Sequence, residues 1–350
     1  MADFLRVDYS TVMFAALPSA LLYYLALFIN VDLKAAKEKN QRCRTTGNWL
    51  WLASPARRWY FLLPFAVLFY TLFSMNMKPE KAAILAITTL ILVSALFGYK
   101  GHRINLRKLW EAVSQAGSSA INLAIVCAAA GIIIGVLNMT GLAFSLTMLI
   151  LQASSNSILI LAVITALISI VLGMGMPTVG VYILLATLVA PALVTAGVPA
   201  ISAHLFVFYY GLLSMVTPPV ALASFAAANI AGANSVQTSL ASIRLAWPAY
   251  VVPFLLILSP SFILEGDFLL ITWDLSLAVA GIYFITSAIV GYLKKPLMPL
   301  ERGLFVVGGA MLLLPANLFA GAFYVNLLGW LIFALNFAVS NRRKGALVSE

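Results

Sequence analysis

"LGMGMPTVGVYILLATLVAP" (172–191) places Gly173, Gly175 and Pro177 inside a long apolar stretch. A helix in hydrocarbon must satisfy its own backbone, so irregular backbone at membrane depth persists only where protein or a water-filled cavity covers it. A second interruption follows in "GLLSMVTPPVALASF" (211–225), where Pro218 and Pro219 stand in tandem. Proline removes a backbone donor and clashes with the preceding turn, and it pushes the residue before it out of the helical region. Thr217 is therefore expected to be extended, with the carbonyls from Ser214 to Thr217 released from helical partners.

The surrounding composition makes the setting a bilayer. The chain is 63% hydrophobic and 9% charged, with a mean hydropathy of +1.03, whereas a soluble domain carries about a quarter charged residues. This is a polytopic membrane protein. "MADFLRVDYS" lacks a basic segment leading into a short apolar core, so it does not read as a secretory signal. Cys43 and Cys127 read as small buried or interfacial hydrophobes rather than as a disulfide or metal pair. The net charge of +10 does not imply a nucleic-acid partner. Its sources cluster at Lys34–Arg58, at Lys100–Lys108, at Lys294, Lys295 and Arg302, and at Arg342–Lys344, the pattern of cytoplasmic loops under the positive-inside rule.

Apolar stretches of spanning length fall at about 11–31, 59–77, 82–99, 118–138, 201–229, 242–263, 275–293, 303–320 and 322–340. With the basic loops inside, "NMKPEK" (76–81) and the loop holding Glu265, Asp267 and Asp274 lie outside, and the C-terminus lies inside. Residues 102–117 read as an amphipathic helix at the inner interface or as a plain basic loop. Residues 141–198 must then begin and end outside. A re-entrant hairpin does this, with limbs at about 156–173 and 179–196, a tip at 173–178, and 141–153 lying flat at the outer face. The rival makes 141–153 and 155–173 two ordinary spans followed by a short re-entrant piece.

Adjacent breaks flanked by Thr178, Ser214 and Thr217 would bring free carbonyls, hydroxyls and half-helix N-termini together at the midplane, as ion and substrate sites of secondary transporters do. The alternative is a pair of kinks that only shape packing. From Ala112 to Ile243 there is no Lys, Arg, Asp or Glu. A proton relay would need a carboxylate or histidine, and His204 reads as packed or interfacial. Sodium, which carbonyls and hydroxyls can hold, is the expected coupling ion, and the helix N-termini suit an anionic substrate group. Enzymatic readings fail: the acids are absent, and His204 and Ser214 would sit about 15 Å apart along a helix.

These words resemble the large membrane subunit of TRAP transporters, the tripartite ATP-independent periplasmic carriers, and most of all the fused-permease branch that works with TAXI-type binding proteins. The matching words are 172–199, "AHLFVFYYGLLSMVTPPVALASFAAANIAGA" (203–233), "AAAGIIIGVLNMTGL" (128–142) and "PSALLYYLALFINVDLKAA" (18–36). The resemblance implies an elevator carrier of two inverted repeats in the inner membrane, each repeat with a hairpin and a broken helix, and no enzymatic activity. It implies no cofactor beyond the sodium ion. Its partners would be a periplasmic substrate-binding protein of TAXI type, a small membrane subunit and a small organic anion. By this resemblance the hairpin tip falls on Gly173, Gly175, Pro177 and Thr178, and the broken helix on Ser214, Thr217, Pro218 and Pro219. Sodium would then be held by Gly173, Gly175, Thr178, Ser214 and Thr217, and substrate by Thr178, Ser214 and Pro218. Gly131 and Gly135 are read as packing glycines.

Residues 2–28 are weakly similar to 228–258, which suggests a repeat that begins partway through its first copy. The expected organisation is the end of a first repeat and a basic linker (1–58), scaffold spans and an interfacial helix (59–117), a second transport repeat (118–263) and appended helices (264–350). A missing N-terminal permease half is then expected upstream of Met1. The isolated chain is expected not to transport until that half is supplied in trans. Two other readings stand: a different ion-coupled carrier, and a non-transporting scaffold or remnant.

Overall fold

The apolar stretches fold as helices in the computed structural model, which describes residues 1–38, 59–97, 105–155, 157–293 and 295–346. In chain order these are α1 (Ala2–Leu5), α2 (Tyr9–Lys37), α3 (Leu63–Phe73), α4 (Pro79–Phe97), α5 (Leu106–Met139), α6 (Leu142–Ala153), α7 (Ile158–Gly173) and α8 (Thr178–Leu188). Then follow α9 (Ala190–Thr195), α10 (Ala200–Leu213), α11 (Leu222–Ala231), α12 (Ser235–Leu245), α13 (Trp247–Leu258), α14 (Phe268–Val290), α15 (Pro299–Leu313) and α16 (Ala322–Ala346). Among the described residues there is no strand. The fold is that of an all-helical polytopic membrane protein, with α2, α4, the Thr178–Thr195 stretch and α14 each long and apolar enough to cross a bilayer.

Residues 1–13 and 41–128 form one compact unit, and 14–40 with 129–350 form another. In the first, α3 packs on α4, and Ser10 Oγ donates to Asn76 Oδ1 at 3.4 Å. In the second, α7, α8, α10 and α13 enclose a core in which Leu185, Val189, Leu193, Phe206 and Val207 are fully buried. A separate core joins α14, α15 and α16, where Phe284 stacks on Phe333 with ring centroids 4.0 Å apart. Large apolar side chains such as Phe28 and Ile230 point outward, 72% and 90% exposed, as a lipid-facing surface requires.

Several expected boundaries moved. The segments 102–117 and 118–138 do not separate, because α5 runs unbroken through Gly117 to Met139. One glycine in a helix interior costs only about 1 kcal/mol, too little to end it. The expected span 242–263 is instead the bent pair α12 and α13, with a 41° change of direction at Ala246. Asn234 caps α12 with bonds to Val236 N and Gln237 N. Pro18 lies inside the continuous α2, whereas Pro248 opens α13. The stretch expected as a span to 320 ends at Leu313, since Pro315 holds Leu314 at an extended ψ of 127°.

The acidic loop also differs. Glu265 and Asp267 precede α14, and Asp267 caps it at Leu269 N, but Asp274 lies within that helix and is 1% exposed. Gly131 and Gly135, expected to pack, have no close neighbour among the described residues, where a Cβ at either would meet nothing within 4 Å. The basic residues Lys39, Arg42, Arg44, Arg57, Arg58, Lys100 and Arg103, with Cys43, lie outside the described residues.

The α14–α15 contact depends on glycine. A Cβ on Gly309 would sit 2.7 Å from Ile285 Cγ1 and 2.9 Å from Gly281 O. Gly309→Val should destabilise the chain by about 1–3 kcal/mol through overpacking, read as a lower unfolding midpoint in detergent. Gly303→Ala on the same helix, where nothing lies within 4 Å, should leave the midpoint unchanged. Equal midpoints for both variants would contradict this packing.

Candidate functional site at the two helix breaks

The first break is Met174–Pro177, between α7 and α8. Gly175 has φ +76°, a conformation that costs other residues about 1–2 kcal/mol. Pro177 then fixes the N-cap of α8 without a side-chain cap. The first backbone donors of a helix have no partner within it, so the N-terminus of α8, with Thr178 exposed, presents free N–H groups at the tip.

The second break runs from Ser214 to Ala221, between α10 and α11, and contains a cis peptide at Pro218–Pro219. Here the expectation of four freed carbonyls is corrected. Met215 O accepts from Ala223 N at 3.0 Å and Thr217 O accepts from Ala221 N at 3.2 Å. The chain folds back across the prolines and re-partners those two carbonyls. Ser214 O and Val216 O receive no backbone bond among the described residues.

The breaks are joined directly. Ser214, 1% exposed, donates its hydroxyl proton between Gly173 O at 2.9 Å and Gly211 O at 2.6 Å. Gly173 O is one of the last carbonyls of α7, which would otherwise be unsatisfied. This approach demands glycine at 173, and the packing of α8 on α10 demands glycine at 211. A Cβ on Gly173 would lie 2.6 Å from Gly211 O, and one on Gly211 would lie 2.5 Å from Val181 Cγ1.

Thr217 is held from another side. Its Oγ1 donates to Leu213 O and pairs with Tyr250 Oη, both at 2.6 Å. Tyr210 Oη donates to Tyr250 O, and Tyr209 Oη pairs with Ser19 Oγ of α2 at 2.8 Å. The geometry thus brings Gly173 to Ser214 and ties Thr217 to α13. Thr178 forms no hydrogen bond to either among the described residues, and Pro218 flanks Thr217 in the same turn. His204 is packed: it is 8% exposed, and its Nδ1 lies 2.8 Å from Tyr182 Oη.

Several supporting residues were not singled out in the sequence. Tyr250 looks like any interfacial tyrosine, and nothing local signals that it reaches back to Thr217. Ser169, one turn before Gly173, and Ser224, in the first turn of α11, have buried hydroxyls without a partner among the described residues. A serine in an apolar helix is a recognisable signal, but it does not say which face is turned inward.

A family model described as "Tripartite ATP-independent periplasmic transporter, DctM component" matches residues 1–268. No curated protein and no solved structure matches the chain.

Ser214→Ala removes the hydroxyl bridge and should lower stability by about 1–2 kcal/mol. Gly173→Ala should cost more than Gly175→Ala, because the former meets backbone and the latter only a strained φ. Unfolding midpoints in detergent that rank Gly175→Ala below Gly173→Ala would contradict the close approach.

Proposed function

Because the chain belongs to the DctM family of TRAP transporter large membrane components, matched over 1–268, we propose that it is the permease component of a sodium-coupled importer of small organic anions. The observation that carries this reading is the joining of two helix breaks by Ser214 and Gly173, in a stretch of 132 residues (112–243) without an ionisable Asp, Glu, Lys or Arg. DctM proteins are membrane permeases rather than enzymes, and family membership implies a periplasmic binding protein and a small membrane subunit as partners. A TAXI-type binding protein, an inner-membrane location and a cytoplasmic C-terminus belong to the same proposal.

The residues have the chemistry for a sodium ion. A hydroxyl that donates its proton to a carbonyl keeps lone pairs on oxygen. Ser214 Oγ and Thr217 Oγ1 donate in this way, and Ser214 O and Val216 O add carbonyls that receive no backbone bond among the described residues. Hard oxygen donors of this kind suit a hard cation. Gly173 holds its carbonyl against Ser214, and Gly175 supplies the turn that aims α8. The N-terminus of α8 at Thr178 suits a carboxylate, through orphan N–H groups and the helix dipole. Cation and anion then stabilise each other in a region of low dielectric, so neither binds well alone. That mutual dependence is how the sodium gradient would be coupled to uptake.

Uptake of a labelled organic acid tests the proposal, in vesicles that hold the chain with its binding protein and the other membrane subunits. An inward sodium gradient should drive uptake and choline should not. Ser214→Ala should reduce it by roughly tenfold or more, the equivalent of a lost hydrogen-bonding group at a charge. Uptake that proceeds equally in choline would contradict the proposal.

A further inference from the structure

The C-terminal helices hold a buried carboxylate outside the two breaks. Asp274 is 1% exposed, and no basic side chain pairs with it among the described residues. Its Oδ1 accepts from Ala316 N at 3.0 Å. Oδ2 faces Ser259 Oγ at 3.3 Å, and Ser259 Oγ also lies 3.1 Å from Ser261 Oγ and 3.5 Å from Asn317 Oδ1.

Ser261 can donate its own hydroxyl proton to Ser259 Oγ, and Ser261 N–H points at the same oxygen at 3.4 Å, yet all three oxygen–oxygen separations exceed the usual O–H···O distance of about 2.7–2.8 Å. They match a different geometry. A cation the size of calcium, which sodium nearly equals, sits about 2.4 Å from its oxygens, and adjacent ligands are then about 3.4 Å apart. Burying an unpaired carboxylate is costly unless a counter-charge accompanies it. The local field has the matching sign, since residues 245–293 include Glu265, Asp267 and Asp274 but no Lys or Arg. Of the four residues only Asn317 reaches a surface groove, which it lines with Ala316, Asp267, Thr272 and Ser276, while Ser259, Ser261 and Asp274 are at most 1% exposed.

The geometry points to a sodium site formed by Asp274 Oδ2, Ser259 Oγ, Ser261 Oγ and Asn317 Oδ1. One carboxylate among otherwise neutral oxygens suits a monovalent ion, and the short oxygen–oxygen separations suit sodium over the larger potassium. The site joins the end of α13 to α14 and to the α15–α16 connection. It is separate from the helix breaks and does not depend on their role.

Radiolabelled sodium binding to the purified full chain tests it. Asp274→Asn keeps an acceptor for Ala316 N–H and should lose one sodium equivalent per chain. Ser259→Ala should weaken the same equivalent by about tenfold, the loss of one ligand to a charged centre, and it supplies the result if Asp274→Asn does not fold. Both effects should persist in a Ser214→Ala background, which separates this site from the breaks. Unchanged stoichiometry and affinity in the Asp274 and Ser259 variants would overturn the proposal. So would equal displacement by potassium, or an infrared carboxylic-acid band lost in Asp274→Asn without any loss of sodium.

Discussion

A serine hydroxyl held between two glycine carbonyls fixes the relation of α7 to α10. Ser214 can reach Gly173 O because Gly173 has no Cβ to meet Gly211 O, and the missing Cβ of Gly211 lets Val181 and Leu185 of α8 pack over it. Three helices therefore meet closely at Gly173 and Gly211, α8 through the side chains of Val181 and Leu185. Gly173 O, a carbonyl exposed where α7 ends, is satisfied there by protein, in keeping with the rule that irregular backbone at membrane depth must be covered. Leu185, Val189, Leu193 and Phe206 then close the core behind it.

That arrangement resolves a conflict between stability and binding. A broken helix in an apolar setting exposes donors and acceptors, each costing about 1–3 kcal/mol if left unmet. Here Met215 O and Thr217 O are re-partnered across the prolines, and Thr217 Oγ1 is anchored to Tyr250. Ser214 O, Val216 O and the N–H groups at the start of α8 remain. The break is thus mostly satisfied by protein, with a small remainder of each polarity. Under the proposed function the oxygen atoms of that remainder would serve a cation and the N–H groups an anion.

Both interruptions were legible in the sequence because Gly173, Gly175, Pro177, Pro218 and Pro219 act on the backbone directly, whatever surrounds them. The joining of Ser214 to Gly173 was legible only as a convergence of the two segments, since a contact across 41 positions has no local signal. The re-partnered carbonyls and the reach of Tyr250 were hidden for the same reason. Residues 102–117 misled because their basic, amphipathic pattern reads as a separate interfacial element, although one helix, Leu106–Met139, runs on from it through Gly117. Asp274 misled because acidic residues near a span end read as loop, and burial depends on Ser259 and Ala316, which approach from elsewhere in the chain. The family resemblance in 172–199 and 203–233 falls within the segment matched by the DctM model.

Hydrogen exchange at the two breaks, compared in sodium and in choline, tests most directly whether they form one ion-binding unit. Sodium held between them should slow exchange together at 173–180 and at 214–224, with the joint slowing lost in Ser214→Ala. Exchange that is the same in both ions at both segments would contradict the account, leaving the breaks as packing kinks.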